Sequence, residues 1–220
     1  MTASHVPAQS NEHPIDIKMN KALKEDAVTA WDVISVYMQA EQEWEAEMNR
    51  NLQAINEMAG KDEAKQKKLQ EAQKAWLAFK TDEMEFNAAY WGLFQGSMYQ
   101  TYSPYYGMFI VRLRALELFY YFDKNTNYSR SAFDDNDAYK TEEEWDKLLN
   151  ANYQALMKKL ARAEQDKLRA AQRKWIPYRD AEAAAYDLCS RTANPDYKAL
   201  LVRERALRLG KYWGDIMLNE

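Results

Sequence analysis

The sequence holds one cysteine, Cys189, and two histidines, His5 and His13, among 220 residues. A single thiol excludes an intrachain disulfide and says little about redox compartment. Both histidines fall in the polar N-terminal stretch, which leaves the folded part without an imidazole for acid–base or metal work. Cys189 then lacks a histidine partner and reads as an inert thiol. Glycine and proline are scarce, at 6 and 5 residues, so few breakers interrupt the chain and long helices with few loops are expected. No apolar run approaches the roughly 18 residues of a membrane span. The best stretch, 105–122, is interrupted by Arg112, Arg114 and Glu117 and reads as a core helix. Gly-rich phosphate loops and Asp-rich calcium loops are also missing; Asp134, Asp135, Asn136 and Asp137 lack the calcium-loop spacing.

What is present is aromatic and charged. There are 15 Tyr and 7 Trp, types enriched in helical cores and at recognition surfaces. The net charge of −4 conceals an asymmetry, since residues 1–140 hold 15 basic and 21 acidic residues and residues 141–220 hold 15 and 13. Basic residues are interleaved with acids, so no nucleic-acid-binding stripe exists. Residues 25–57 carry eight acids and one base, Arg50, with Glu41, Glu43, Glu45 and Glu47 alternating as surface charge.

Residues 1–24 read as a flexible tail. A first helical pattern covers about 24–59, with Trp44, Met48, Leu52 and Ile55 on one face, and ends at Gly60. A second carries Leu69, Ala72, Trp76 and Phe79, and a third spans roughly 105–122. Residues 123–140 read as a linker. The pattern then restarts. Trp145, Leu149, Tyr153, Leu156 and Leu160 repeat the first stripe, with Trp44 over Trp145 and Asn49 over Asn150 at an offset of 101. Leu168, Ala171, Trp175 and Tyr178 repeat the second at an offset of 99, with Gln73 over Gln172 and Lys80 over Arg179. Ile110, Val111, Arg112, Leu113, Arg114, Ala115 and Leu116 lie over Leu201, Val202, Arg203, Glu204, Arg205, Ala206 and Leu207 at an offset of 91. Three patterns in one order make a tandem repeat, 25–122 and 141–220, of an all-α three-helix unit packed as bundles. The drop from 99 to 91 puts eight additional residues before the third helix of the first copy, within 90–107.

The second copy carries Leu149-Asn150-Ala151-Asn152-Tyr153, then Gln172-Arg173-Lys174-Trp175-Ile176-Pro177-Tyr178-Arg179-Asp180, then Arg205-Ala206-Leu207. This pattern resembles the LprI-type lysozyme-inhibitor family. The first copy matches more loosely, as Met48-Asn49, Gln73-Lys74-Ala75-Trp76-Leu77-Ala78-Phe79-Lys80 and Arg114-Ala115-Leu116. The resemblance implies small helical domains of the bacterial envelope, some of which inhibit lysozyme. It also implies paired cysteines, from which this chain departs.

The shared motif reads first as core. Trp175 and Tyr178 share a face with Gln172, at spacing that suits packing between helices better than a sugar-stacking platform. Arg114 and Arg205 read as buried pairing partners, for Asp180 or Glu83. Binding is expected instead where the copies differ. Tyr90, Trp91, Phe94, Tyr99, Tyr102, Tyr105 and Tyr106 surround flexible glycines, either as a contact surface or as the closure between repeats. Glu43 and Glu47 on the acidic first helix would steer a cationic lysozyme. The expected function is non-catalytic inhibition of a peptidoglycan-degrading enzyme by protein–protein contact, with no cofactor or metal. An immunity protein against a secreted antibacterial toxin and an envelope adaptor are the alternatives, and a carboxylate-dependent hydrolase is a distant third. A periplasmic location requires a signal peptide removed ahead of this sequence; composition alone suits the cytoplasm.

Overall fold

The structure, a computed structural model, describes residues 12–121, 141–191 and 197–218. The expected linker, 123–140, and residues 1–11 of the expected tail lie outside them. Seven helices occur among the described residues: α1 (Pro14–Glu25), α2 (Ala30–Ala59), α3 (Glu63–Trp91), α4 (Ser97–Phe119), α5 (Glu142–Lys159), α6 (Arg162–Cys189) and α7 (Tyr197–Leu218).

The segment expected to be a tail therefore contains a helix. Pro14 opens α1, where its missing N–H costs nothing, and His13 Nδ1 accepts a hydrogen bond from the Ile15 N–H at 3.3 Å. Helix α1 docks on the α2–α4 pair. Asp16 and Arg112 form a bidentate pair at 2.8–3.0 Å, and the buried His13 ring lies 4.3 Å from that of Trp44. One imidazole thus belongs to the fold, against expectation. Burial holds its pKa below 6.5, against the pull of Glu47 and Asp16. The expected helix 24–59 divides at Asp26–Thr29 because Thr29 and Asp32 form a reciprocal capping box that starts α2. At the far end Gly60 supplies the positive φ (59°) of the turn out of α2.

The two copies share one internal plan. Helices α2 and α4 run parallel: Tyr37 meets Tyr105 at 5.3 Å between ring centroids, and Asn51 donates to the Ala115 carbonyl at 3.3 Å. In α5 and α7 the same bond recurs, from Asn152 to the Ala206 carbonyl at 2.8 Å. Arg112 covers the Trp44 ring at 5.5 Å, as Arg203 covers Trp145 at 5.8 Å. The working asparagines are thus Asn51 and Asn152. Asn49 and Asn150, which the repeat also aligns, are exposed.

The middle helices pair with each other while each also contacts the last helix of its own copy. Helices α3 and α6 lie antiparallel, with the Cys189 thiol 3.8 Å from the Lys65 carbonyl and Phe79 stacked on its repeat equivalent Tyr178 at 5.6 Å and 7°. Around that stack the charges cross over. Arg114 of the first copy meets Glu182 of the second at 2.8 Å, and Arg205 of the second meets Glu83 of the first at 2.8 Å, all four nearly inaccessible. Arg205 therefore finds the expected Glu83. Arg114 finds Glu182 rather than Asp180, which lies on the exposed face of α6 with Arg179 and Lys198. The repeated glutamines orient the guanidiniums from within each copy, Gln73 at 3.4 Å from Arg114 and Gln172 at 3.0 Å from Arg205. Burial works against the charge on Arg114, but Glu182, Tyr178 and Glu117 outweigh it and hold the guanidinium protonated. The repeat is a two-fold arrangement built within one chain, each copy supplying the counter-ion of the other.

One half-buried acid breaks the symmetry. Glu204 stands where the first copy has Leu113, and its carboxyl is pushed up to about 7 by burial, with Arg203 at 2.8 Å only partly offsetting this. A raised folded-state pKa adds stability that is complete below the unfolded value near 4.5 and lost as pH rises through 7. Glu204→Gln is therefore expected to stabilise the protein at pH 8 by roughly 3 kcal/mol, at about 1.4 kcal/mol per pH unit. At pH 4.5 the two proteins should unfold alike. Thermal unfolding at the two pH values checks this, and an equal difference at both would refute the burial argument.

Candidate functional site

The eight additional residues of the first copy shape one end of the molecule. By the repeat register Trp91 matches Ser190 and Tyr106 matches Tyr197, so 92–105 stands against only 191–196. The longer connection forms a turn at 92–96 and the first turns of α4, which starts at Ser97 and runs through Pro104 rather than beginning near Tyr105. Gly96 allows the turn, with φ 116°. Asn87, buried on α3, donates to the Ser103 carbonyl at 3.1 Å and fixes the extension to α3.

Aromatic rings build the base of this end. Trp91 stacks on Tyr102 at 4.4 Å and 14°, and Phe94 on Tyr99 at 5.1 Å and 22°. Tyr212 enters from the second copy, stacking on Tyr106 at 5.2 Å and standing edge-on to Tyr90 at 4.7 Å. The Tyr90 hydroxyl donates to the Tyr212 carbonyl, and the Tyr212 hydroxyl meets Asn87 Oδ1 at 3.4 Å. Burial, with Glu83 nearby, raises the Tyr212 phenol well above its usual pKa, so it stays a neutral donor.

The expected contact residues divide accordingly. Tyr90, Trp91 and Tyr106 are buried and support the end. Phe94, Tyr99, Tyr102 and Tyr105 are half-buried along its flank. The tip itself is Leu93 and Met98, both exposed, which sequence reasoning passed over for their aromatic neighbours. Glu43 and Glu47 are not brought to this end. Glu43 is bound by Lys18 of α1 and Gln39, Glu47 by Arg50, and Glu41, one residue pair nearer the tip than Glu43, already lies level with Gly107. Lys18 and Glu43 also border a small apolar cleft of about 210 Å³ between α1 and α2, lined by Ile15, Met19, Val36 and Ala40. That is below the usual size of a ligand pocket.

An all-helical tandem with an ion-paired centre and an apolar tip on one copy can be set against known proteins. Two segments, 21–118 and 126–209, match the family described as lysozyme inhibitor LprI. The chain belongs to that family. The two matched segments overlap the two copies, consistent with tandem units. In fold the chain is similar to a crystal structure of an uncharacterized protein from Burkholderia thailandensis, with a TM-score of 0.71 and 23% identity over 92% of this chain and 97% of that one. No curated protein matches it. Of the repeated Gln-x-x-Trp-x-x-Tyr/Phe motif, the last ring of each copy meets the other across α3 and α6, as Phe79 on Tyr178. Among the described residues no helix is long and apolar enough to cross a membrane.

Proposed function

We propose that this LprI-family chain is a non-catalytic inhibitor that binds a peptidoglycan-degrading, lysozyme-type enzyme in the bacterial periplasm. The observation that carries this reading is the extended end of the first copy, where exposed Leu93 and Met98 stand on a stacked aromatic base. A tip held rigid by packing loses little conformational freedom on entering a cleft, so more of its contact energy goes into affinity. The family supplies the class of target, and the acidic first copy suits a cationic enzyme.

Clearing of a cell-wall suspension by several lysozyme-type muramidases tests the reading. Stoichiometric protein should slow at least one of them. A Leu93→Ser, Met98→Ser double variant should raise its inhibition constant at least ~30-fold, as loss of about 2 kcal/mol at hot-spot positions does. Failure to slow any of the muramidases would overturn the reading.

A further inference from the structure

Apart from Leu77 on α3, the exposed large apolar side chains of the first copy belong to two segments far apart in sequence. Val28 in the α1–α2 turn is 89% exposed, Trp31 and Met38 on α2 are 75% and 55%, and Leu93 and Met98 at the tip are 48% and 60%. Helix geometry places them together. Glu41 of α2 lies level with Gly107 of α4 and Met84 of α3, since a Cβ on Gly107 would come within 3.2 Å of both. Ten residues from that level, about 15 Å at 1.5 Å per residue, lie Trp31 on α2, the 92–96 turn beyond α3, and Ser97 on α4. Trp31, Met38 and Glu45 recur at intervals of seven and so share a face of α2. Glu45 meets Lys80 of α3 at 3.1 Å, so that face looks toward α3 and the tip that follows it.

The charge of this end leans acidic. Residues 25–49 and 81–111 contain no Lys or Arg, and Glu25, Asp26 and Asp32 stand at the α1–α2 turn beside Lys24 and Lys21, the latter paired with Glu25 at 3.7 Å. Asp32 stays ionised well into acid because the Thr29 N–H and hydroxyl and the Val28 N–H donate to it. An apolar patch bordered by more acids than bases favours cationic surfaces over anionic ones.

We infer that the α1–α2 turn and the face of α2 bearing Trp31 form, with the 92–98 tip, one two-segment docking surface for a positively charged protein. This rests on the inhibitor reading, and the partner it takes is the target hydrolase itself. Trp31 is the anchor: a large, amphipathic side chain, 75% exposed before binding, one residue from the ionised Asp32.

The test uses the full chain and a cationic muramidase that it inhibits. Trp31→Ser should raise the inhibition constant at least 30-fold with an unchanged thermal midpoint. Met38→Lys should weaken inhibition more than Met38→Glu, and the gap between them should narrow in high salt. Leu188→Ser, exposed at the far end of α6, should change nothing. Inhibition by the parent with Trp31→Ser within twofold of it would overturn this inference and leave the inhibitor reading standing. A parent that inhibits no muramidase overturns both.

Discussion

Replacing Arg114 with Met should cost about 3–5 kcal/mol of stability, the usual price of leaving a buried counter-ion unpaired. Glu182 would lose its partner at 2.8 Å, and Glu117, whose carboxyl burial already pushes up, would lose the guanidinium that offsets this. The equivalent change in the second copy, Arg205→Met, should cost less, because Arg208 stands 3.7 Å from Glu83 and retains a cation there. Urea unfolding followed by circular dichroism measures both. Each variant should unfold in a single transition, since the affected ion pairs join the copies rather than lie within one. Two transitions, with one copy unaffected, would show that the copies fold independently.

The second large effect is expected at Trp91. Trp91→Ala removes the buried ring on which Tyr102 stacks at 4.4 Å and which also borders Tyr90 and Tyr106, at 5.0 and 5.6 Å. Deleting a buried aromatic side chain costs about 3–5 kcal/mol. Leu93→Ala, two residues away but exposed, should stay within about 0.5 kcal/mol of the parent. The pair separates support from surface: Trp91→Ala should lower the thermal midpoint, and Leu93→Ala should affect inhibition alone. Comparable midpoints for the two variants would mean that the aromatic base is not a packed core.

The difference between these positions explains how far the sequence could be read. The repeat was legible because packing between helices imposes periodicity, and both copies bury Trp76 or Trp175, and Phe79 or Tyr178, at matching positions. Arg205–Glu83 was legible because a repeated arginine on an apolar face needs a counter-ion. That the counter-ion comes from the other copy was not, since spacing within one helix says nothing of which helix lies opposite. Helix α1 was missed because only Ile15 and Met19 among its residues pack inward as large apolar side chains, too few to make a period. Its separation from α2 was missed because Asp32, rather than Glu or Gln, completes the capping box. The third helix was expected from about 105, yet α4 begins at Ser97 and continues through Pro104. Trp31 was passed over because nothing in its neighbours distinguishes an exposed tryptophan from a packed one; only the placement of α1 and α3 does.

Inhibition of a lysozyme-type enzyme through the apolar end of the first copy is read residue by residue in amide hydrogen exchange, measured with and without a bound muramidase. Binding should slow exchange at 26–38 and 92–105 and leave α5 and the N-terminal half of α6 unchanged. Protection concentrated on α5–α7, with the 92–105 segment exchanging as in the free protein, would contradict it.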